Sequence, residues 1–212
     1  MSTRLKICGN RRPEDVQYLN EFLPDFAGFI LSDGFGRSIV MDTFNKLRSC
    51  LDPGIRTVGV FVNEPLEEIV RCGYHEKLSV IQLHGNEDAA YIQALRQVFG
   101  GEIWKAVRVQ TAQDIAQADA LPVDRLVLDS FSAQFVGGTG ELAPWDIIAQ
   151  NRPEKPFLLA GGITPDNVCQ AIADVQPWGV DCSSGVETDK CKDRLKIRAL
   201  AENVKGGAPH GI

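Results

Sequence analysis

Short apolar runs alternate along the chain with longer segments in which apolar residues recur at helical spacing. The runs are rich in β-branched residues and are bounded by polar or turn residues, which is typical of buried strands. Eight runs predict strands: Leu5–Cys8, Phe26–Leu31, Thr57–Val62, Val80–Leu83, Ile103–Val107, Arg125–Asp129, Phe157–Ala160 and Gly179–Cys182. The other segments predict helices: Pro13–Phe22, Asp42–Leu51, Pro65–Cys72, Asp88–Phe99, Ala112–Ala118, Trp145–Ala149, Asp166–Ala173 and Arg194–Val204.

This regular alternation predicts βαβ units and a parallel sheet. Eight units in about 200 residues fit a single (β/α)8 TIM barrel of the α/β class. We expect the barrel to span residues 1–205 and residues 206–212 to form a flexible tail, because the tail is rich in glycine. An open doubly wound sheet is the alternative, but it usually carries G-x-G-x-x-G after its first strand. Here that strand ends in Cys8-Gly9-Asn10-Arg11.

Composition narrows the classes of partner. The chain has 212 residues and a formal net charge of −6, which disfavours nonspecific binding to nucleic acid or anionic membranes. We find no secretion signal and no apolar stretch near the ~18 residues of a membrane span. The six cysteines form no C-x-x-C pair, and cysteine and histidine do not cluster at zinc-ligand spacing. We therefore expect free thiols, no metal site and a cytoplasmic location.

Residues that end the strands are the candidates for chemistry, because barrel enzymes work at the C-terminal ends of their strands. Cys8 ends the first strand, and Lys6 shares its face because side chains alternate along a strand. Lys6 would point into the barrel, where Asp181 of the eighth strand could pair with it, since a lone buried charge is costly. Asp129 ends the sixth strand and is a candidate general acid, with Cys8 as the base. The structural alternatives are a buried small thiol for Cys8 and a loop-capping carboxylate for Asp129.

Three glycine-rich turns follow the sixth, seventh and eighth strands. They are Gly137-Gly138-Thr139-Gly140, Ala160-Gly161-Gly162 and Ser183-Ser184-Gly185. Glycines let backbone N–H groups approach an anion closely, and late loops are where such barrels hold phosphate. One glycine turn is weak evidence, but three in succession predict a phosphate site.

Three further side chains stand near the predicted mouth of the barrel. Arg37, after the second strand, has the fork geometry to bind a carboxylate, although an ordinary surface arginine is the simpler interpretation. Gln82 and His84 alternate inward at the end of the fourth strand and could bind substrate hydroxyls. A single histidine is more often structural, so His84 carries the least weight.

The order of several motifs resembles the phosphoribosylanthranilate isomerase family, over about residues 4–204. The matching motifs are Lys6-Ile7-Cys8-Gly9, Gly59-Val60-Phe61-Val62-Asn63, Gln82-Leu83-His84-Gly85, Leu128-Asp129-Ser130, Gly137-Gly138-Thr139-Gly140, Leu159-Ala160-Gly161-Gly162-Ile163, Pro165-Asp166-Asn167-Val168 and the run from Gly179 to Glu187. No single motif is specific, but the ordered set is.

The resemblance implies a (β/α)8 barrel without metal or organic cofactor, and an Amadori rearrangement in tryptophan biosynthesis. It implies that Asp129 is the general acid and Cys8 the general base. The matched positions give Arg37 the carboxylate of the anthranilate. A phosphate would be bound around Gly140, Gly162, Ser183, Ser184 and Gly185. The implied partner is a small phosphorylated substrate, and the chain would act as a monomer or homodimer.

Two departures from the family pattern bear on the substrate. Phe35-Gly36 stands before Arg37 where the family usually has Ser-Pro, and Leu142-Ala143-Pro144 stands where it tends to have Phe-Asp. Two alternative functions remain at this point. A barrel acting on another phosphorylated aminosugar, as in histidine biosynthesis, typically pairs two aspartates, whereas Cys8 stands here. A barrel that only binds phosphosugars would have lost the acid or the base.

Overall fold

Eight parallel strands close into a barrel in chain order in a computed structural model, which describes residues 2–130 and 144–206. The strands are β1 (Arg4–Ile7), β2 (Phe26–Ile30), β3 (Arg56–Phe61), β4 (Val80–Leu83), β5 (Glu102–Arg108), β6 (Arg125–Asp129), β7 (Phe157–Ala160) and β8 (Gly179–Cys182). β8 pairs in parallel with β1 and removes both sheet edges. The predicted single (β/α)8 barrel is confirmed.

In the described residues, eight α-helices surround the strands. They are α1 (Pro13–Phe22), α2 (Met41–Ser49), α3 (Leu66–Arg71), α4 (Ala89–Val98), α5 (Ala112–Asp119), α6 (Pro144–Gln150), α7 (Val168–Val175) and α8 (Arg194–Gly206). Gly206 ends α8, and the rest of the predicted tail lies outside the described residues. Within the described ranges, no helix has both the length and the apolar character that crossing a membrane requires.

The helix starts follow from capping and from proline. α1 begins at Pro13, where the missing N–H costs nothing, and Asp15 accepts the backbone N–H of Arg12. Asp88 caps α4, since its Oδ1 accepts the N–H of Tyr91 at 2.8 Å. The predicted start of α7 at Asp166 is wrong by two residues. Asn167 Oδ1 accepts the N–H of Thr164 at 2.8 Å, which closes a turn and delays the helix to Val168.

Strand alternation divides the core into two parts. Leu5 and Ile7 point outward into the layer between strands and helices, as predicted. The lower barrel interior is apolar, and Phe26 and Trp104 meet there edge to face with ring centroids 4.9 Å apart. Trp178 packs on the same pair, and each such aromatic contact adds about 0.5–1.5 kcal/mol beyond the buried area. The polar residues are therefore concentrated at the upper, C-terminal end.

A two-stranded hairpin follows β8 and was not predicted. Its strands are β9 (Glu187–Thr188) and β10 (Cys191–Lys192). Asp189 and Lys190 form its turn with positive φ angles of 51° and 60°. The hairpin sets Glu187 and Lys192 beside the mouth of the barrel.

Candidate active site

A cavity of about 320 Å³ opens at the C-terminal end of the barrel. Its lining consists of Cys8, Ile30, Val60, Gln82, His84, Val127, Asp129, Ala160, Gly161, Gly162, Ile163, Asp181, Ser183, Ser184 and Gly185. Of the ten catalytic and substrate-binding residues predicted from the sequence, all but Arg37 and Gly140 are in this set. A larger cleft of about 530 Å³ lies at the opposite end, around Arg4, Arg152 and Trp178. Barrel enzymes use the C-terminal end, so the smaller cavity is the candidate site.

Cys8, the residue after β1, is fixed by hydrogen bonds to the end of β8 and to the residue that follows it. Its N–H donates to the carbonyl of Cys182 at 2.9 Å, and its own carbonyl accepts the Ser183 hydroxyl at 3.1 Å. The side chain is 8% exposed and faces the cavity. Burial raises the pKa of the Cys8 thiol, while the neighbouring Lys6 charge opposes that rise. Cys8 is therefore held in place but needs a cation to act as a thiolate.

Asp129 stands at the opposite wall, half-buried, as the last residue of β6. The next residue anchors this strand end. Ser130 donates its N–H and its hydroxyl to the carbonyl of Ala160, at 3.0 and 2.9 Å. The Trp145 indole donates to the Ser130 hydroxyl at 2.9 Å. These bonds tie the ends of β6 and β7 and the start of α6 together, so the position of Asp129 is determined by three elements.

Lys6 lies beneath the cavity and pairs with Asp181, as the strand alternation predicted. Lys6 is fully buried, and its Nζ lies 2.8 Å from Asp181 Oδ2. Burial alone would lower the pKa of Lys6, but the Asp181 carboxylate raises it above its ordinary value. Lys6 is therefore a charged lysine inside the barrel.

Gln82 and His84 both reach the cavity from the end of β4. Gln82 is 1% exposed, and its Oε1 accepts no hydrogen bond from the described residues, which suits an acceptor for a ligand hydroxyl. His84 is exposed at the mouth. Desolvation lowers the pKa of His84, and the Lys6 charge lowers it further, so the imidazole is neutral at physiological pH.

The turns after β7 and β8 form the wall next to Cys8. Gly161 and Gly162 take positive φ angles of 85° and 68°. A Cβ atom on Gly185 would lie 1.9 Å from the carbonyl oxygen of Ile163, so the two turns pack too closely for any side chain there. Gly140, with the predicted turn at 137–140, and the departure at 142–143 lie outside the described residues.

Arg37 does not line the cavity but lies at its edge. A Cβ atom on Gly9 would be 2.6 Å from Arg37 Cδ, so the side chain crosses just beyond Cys8. Its Nε and Nη2 donate to the two oxygens of Glu187 at 2.8 and 2.6 Å. Lys192 Nζ donates to the same Glu187 at 2.8 Å and to the Ser183 carbonyl at 2.9 Å. The carboxylate of Glu187 thus already occupies one edge of the guanidinium.

Glu187 and Lys192 are the site residues that the sequence did not assign. Glu187 lies two residues after Gly185 of the serine–glycine turn, and this proximity was the available signal in the sequence. Its partner Arg37 is 150 residues away, so no local pattern predicts the pair. Ser130 was missed as well, although it follows the candidate acid directly.

Glu187→Gln is expected to remove an acid-sensitive part of the stability. Burial alone would raise the pKa of Glu187, but hydrogen bonds from Arg37 and Lys192 and their charges lower it from 4.5 to about 2. Such a carboxylate stabilises the fold above its unfolded pKa and loses this contribution as the pH falls through the folded value. We expect the difference in unfolding free energy between wild type and Glu187→Gln to be largest at neutral pH and to shrink from pH 4.5 toward 2.

Urea titrations at several pH values measure this difference. The matched control is Glu67→Gln, an exposed glutamate of α3, which should change stability little at any pH. A Glu187→Gln difference that stays constant from neutral pH to below 4.5 would contradict the ion-pair interpretation.

Taken together, a thiol and a carboxylate on opposite walls of one cavity provide two groups able to move protons. The adjoining glycine turns offer backbone donors to an anion. Acid–base chemistry on a small anionic substrate is the class of reaction that this end of the barrel supports, and the class of protein is a (β/α)8-barrel enzyme.

The chain belongs to the N-(5'-phosphoribosyl)anthranilate (PRA) isomerase family, whose model matches residues 5–203. The isomerase of Caldanaerobacter subterraneus is 39% identical over 203 residues, which cover 96% of this chain and 98% of that protein. The crystal structure of phosphoribosyl anthranilate isomerase from Thermotoga maritima superposes with a TM-score of 0.83 at 32% identity, covering 96% and 99% of the two chains. A further crystal structure, of such an isomerase in complex with reduced 1-(o-carboxyphenylamino)-1-deoxyribulose 5-phosphate, gives 0.82 at 31% identity and the same coverage.

Proposed function

We propose that this isomerase converts N-(5-phosphoribosyl)anthranilate to 1-(2-carboxyphenylamino)-1-deoxyribulose 5-phosphate, with Asp129 as the general acid and Cys8 as the general base. The reaction is an Amadori rearrangement in tryptophan biosynthesis, and the enzyme is an intramolecular oxidoreductase of the aldose–ketose type. The observation that carries the assignment of roles is that Asp129 and Cys8 line one cavity from different strands.

The chemistry needs one proton delivered and one removed. Asp129 gives its proton to the furanose ring oxygen, the bond from that oxygen to C1′ breaks, and the nitrogen lone pair forms a Schiff base. The Cys8 thiolate then takes the proton from C2′, and the electrons of that C–H bond form an enolamine. The enolamine then tautomerises to the ketone, because C1′ gains a proton and the C2′ hydroxyl loses one. Each proton transfer of this kind contributes about 10²–10⁴-fold to the rate.

The substrate's charged ends fit the two sides of the cavity. The phosphate would be bound by backbone N–H groups around Gly162, Ser183, Ser184 and Gly185, joined in this proposal by Gly140. The anthranilate carboxylate would approach the edge of Arg37 that Glu187 leaves open. Gln82 and His84 would then contact the sugar hydroxyls between the two ends.

The proposal also covers assembly and location. The chain would act as a monomer or a homodimer. All six cysteines are free, which suits a reducing cytoplasm in which Cys8 is not oxidised. The acidic net charge agrees with no nucleic-acid or membrane partner.

A fluorescence progress curve tests the activity. Anthranilate, phosphoribosyl pyrophosphate and the coupling transferase generate the labile substrate in the cuvette, and its fluorescence is followed when this protein is added. We expect a loss of fluorescence proportional to enzyme concentration. A folded protein that binds a phosphorylated sugar but gives no loss above the uncatalysed decay would contradict the proposed function.

A further inference from the structure

A fully buried lysine inside the barrel is the feature that the proposed mechanism does not use. Lys6 is 0% exposed, and its partner Asp181 is 9% exposed. The two residues are paired in register on β1 and β8. A buried ion pair contributes little net stability, because desolvating both charges offsets their attraction. Packing alone therefore gives no reason for a charged pair at this position.

The end of the Lys6 side chain meets the Cys8 thiol. A Cβ atom on Gly28 of β2 would lie 2.8 Å from Cys8 Sγ and 3.1 Å from Lys6 Cε, so both groups converge over this glycine. The positive charge of Lys6 acts on the Cys8 thiol and opposes the rise in its pKa that burial causes. Asp181 uses Oδ2 for Lys6, and its Oδ1 has no hydrogen-bond partner among the described residues. The ammonium therefore lies between one carboxylate and one thiol.

We propose that Lys6, held by Asp181, is the positioning residue of the general base, and that its ammonium stabilises the thiolate with which Cys8 takes the C2′ proton. The inference rests on the proposed function in taking Cys8 as the base. Lys6 transfers no proton in the step. The C2′ proton ends on Cys8 sulfur, and Lys6 keeps its charge because Asp181 still faces it.

Among the charged groups around Cys8, Lys6 is the cation with the largest effect on the thiol. Burial raises the pKa of Cys8, and among the charged neighbours Lys6 is the largest influence in the opposite direction. Lys192, from the hairpin, also lowers the pKa of Cys8, whereas Asp181 raises it. Arg37, from the loop after β2, interacts with Cys8 only through charge, and Glu187 pairs with its guanidinium. Two further titratable groups face the cavity, neutral His84 from β4 and Asp129 from β6.

The test measures the thiolate directly and needs no turnover. Wild type, Lys6→Met and the double variant Lys6→Met with Asp181→Asn are alkylated with iodoacetamide from pH 6 to 11. The modified Cys8 peptide is then quantified by mass spectrometry. The Cys50 peptide is the internal control, because this thiol is exposed and outside the barrel. The double variant leaves no unpaired buried charge, so it is expected to fold even where Lys6→Met does not.

We expect Lys6→Met to raise the midpoint of Cys8 alkylation by about 1 to 3 pH units, and the double variant to raise it less. At a fixed pH below the midpoint, alkylation of Cys8 should fall by about tenfold or more. A merely structural role predicts the opposite, because a loosened barrel exposes Cys8 and lowers the midpoint. An unchanged or lowered midpoint in a folded variant would overturn the inference.

The outcomes separate this inference from the proposed function. Isomerase activity in wild type with an unchanged alkylation profile in both variants refutes only the role of Lys6. A shifted profile in a protein without isomerase activity refutes the proposed function, and the base role with it, but confirms that Lys6 stabilises the Cys8 thiolate. When both hold, kcat of Lys6→Met should fall far more than KM changes, and the pH profile of kcat/KM should move to higher pH with the alkylation midpoint.

Discussion

Cys8→Ala is expected to lower kcat by about 10²–10⁴-fold while the barrel stays folded and the product stays bound. Among the described residues, the hydrogen bonds that hold Cys8 in the fold, with Cys182 and Ser183, use its backbone and not its thiol. Removing the sulfur therefore removes the base but leaves the strand end in place. In the proposed function the substrate's charged groups bind to other residues, so we expect KM to change little.

Steady-state kinetics and product titration by intrinsic fluorescence give the two readouts. The matched control is Cys169→Ala, which makes the same chemical change on α7, outside the cavity lining. We expect near-wild-type kcat in the control. Turnover within a few-fold of wild type in Cys8→Ala would show that another group takes the C2′ proton.

The barrel could be predicted from the sequence because each strand is a compact apolar run. The bounds of β4, β6, β7 and β8 agree with the predicted ones residue for residue. Parallel strands buried on both faces read as continuous apolar segments, which end where polar residues begin. The hairpin β9–β10 was missed because two-residue strands have no period. Its turn uses Asp189 and Lys190 rather than the Asn-Gly or Asp-Gly that marks a hairpin.

Site residues could be predicted from the sequence where the barrel topology fixes their position. They could not be predicted where a side-chain contact depends on how two loops pack. The C-terminal end of a barrel strand is a fixed place, so Cys8, Asp129 and Gln82 could be selected from strand ends alone. The Lys6–Asp181 pair followed from alternation together with closure of β8 on β1. The sequence predicts that Arg37 can bind a ligand carboxylate, but it does not predict the pairing of Arg37 with Glu187 that the structure shows. That contact depends on how two loops pack, which no period in the sequence records.

Asp129→Asn is expected to reduce kcat by about 10²–10⁴-fold, because the amide keeps the shape of the carboxyl but has no acidic proton for the ring oxygen. Ser130 holds this strand end through Ala160 and Trp145, so the replacement should leave the backbone in place. The matched control is Asp166→Asn, an exposed residue before α7, for which we expect unchanged kinetics.

Deuterium at C2′ of the substrate separates the two roles. In Asp129→Asn, ring opening limits the rate and precedes cleavage of the C2′–H bond, so the isotope effect on kcat should vanish. In Cys8→Ala, cleavage of that bond is the slow step, and the full primary isotope effect should appear. An isotope effect of the same size in both variants would contradict the assignment of Asp129 to ring opening, because the two residues would then act on one step. Opposite responses would mean that the two walls of the cavity act in sequence, the carboxyl first and the thiolate second.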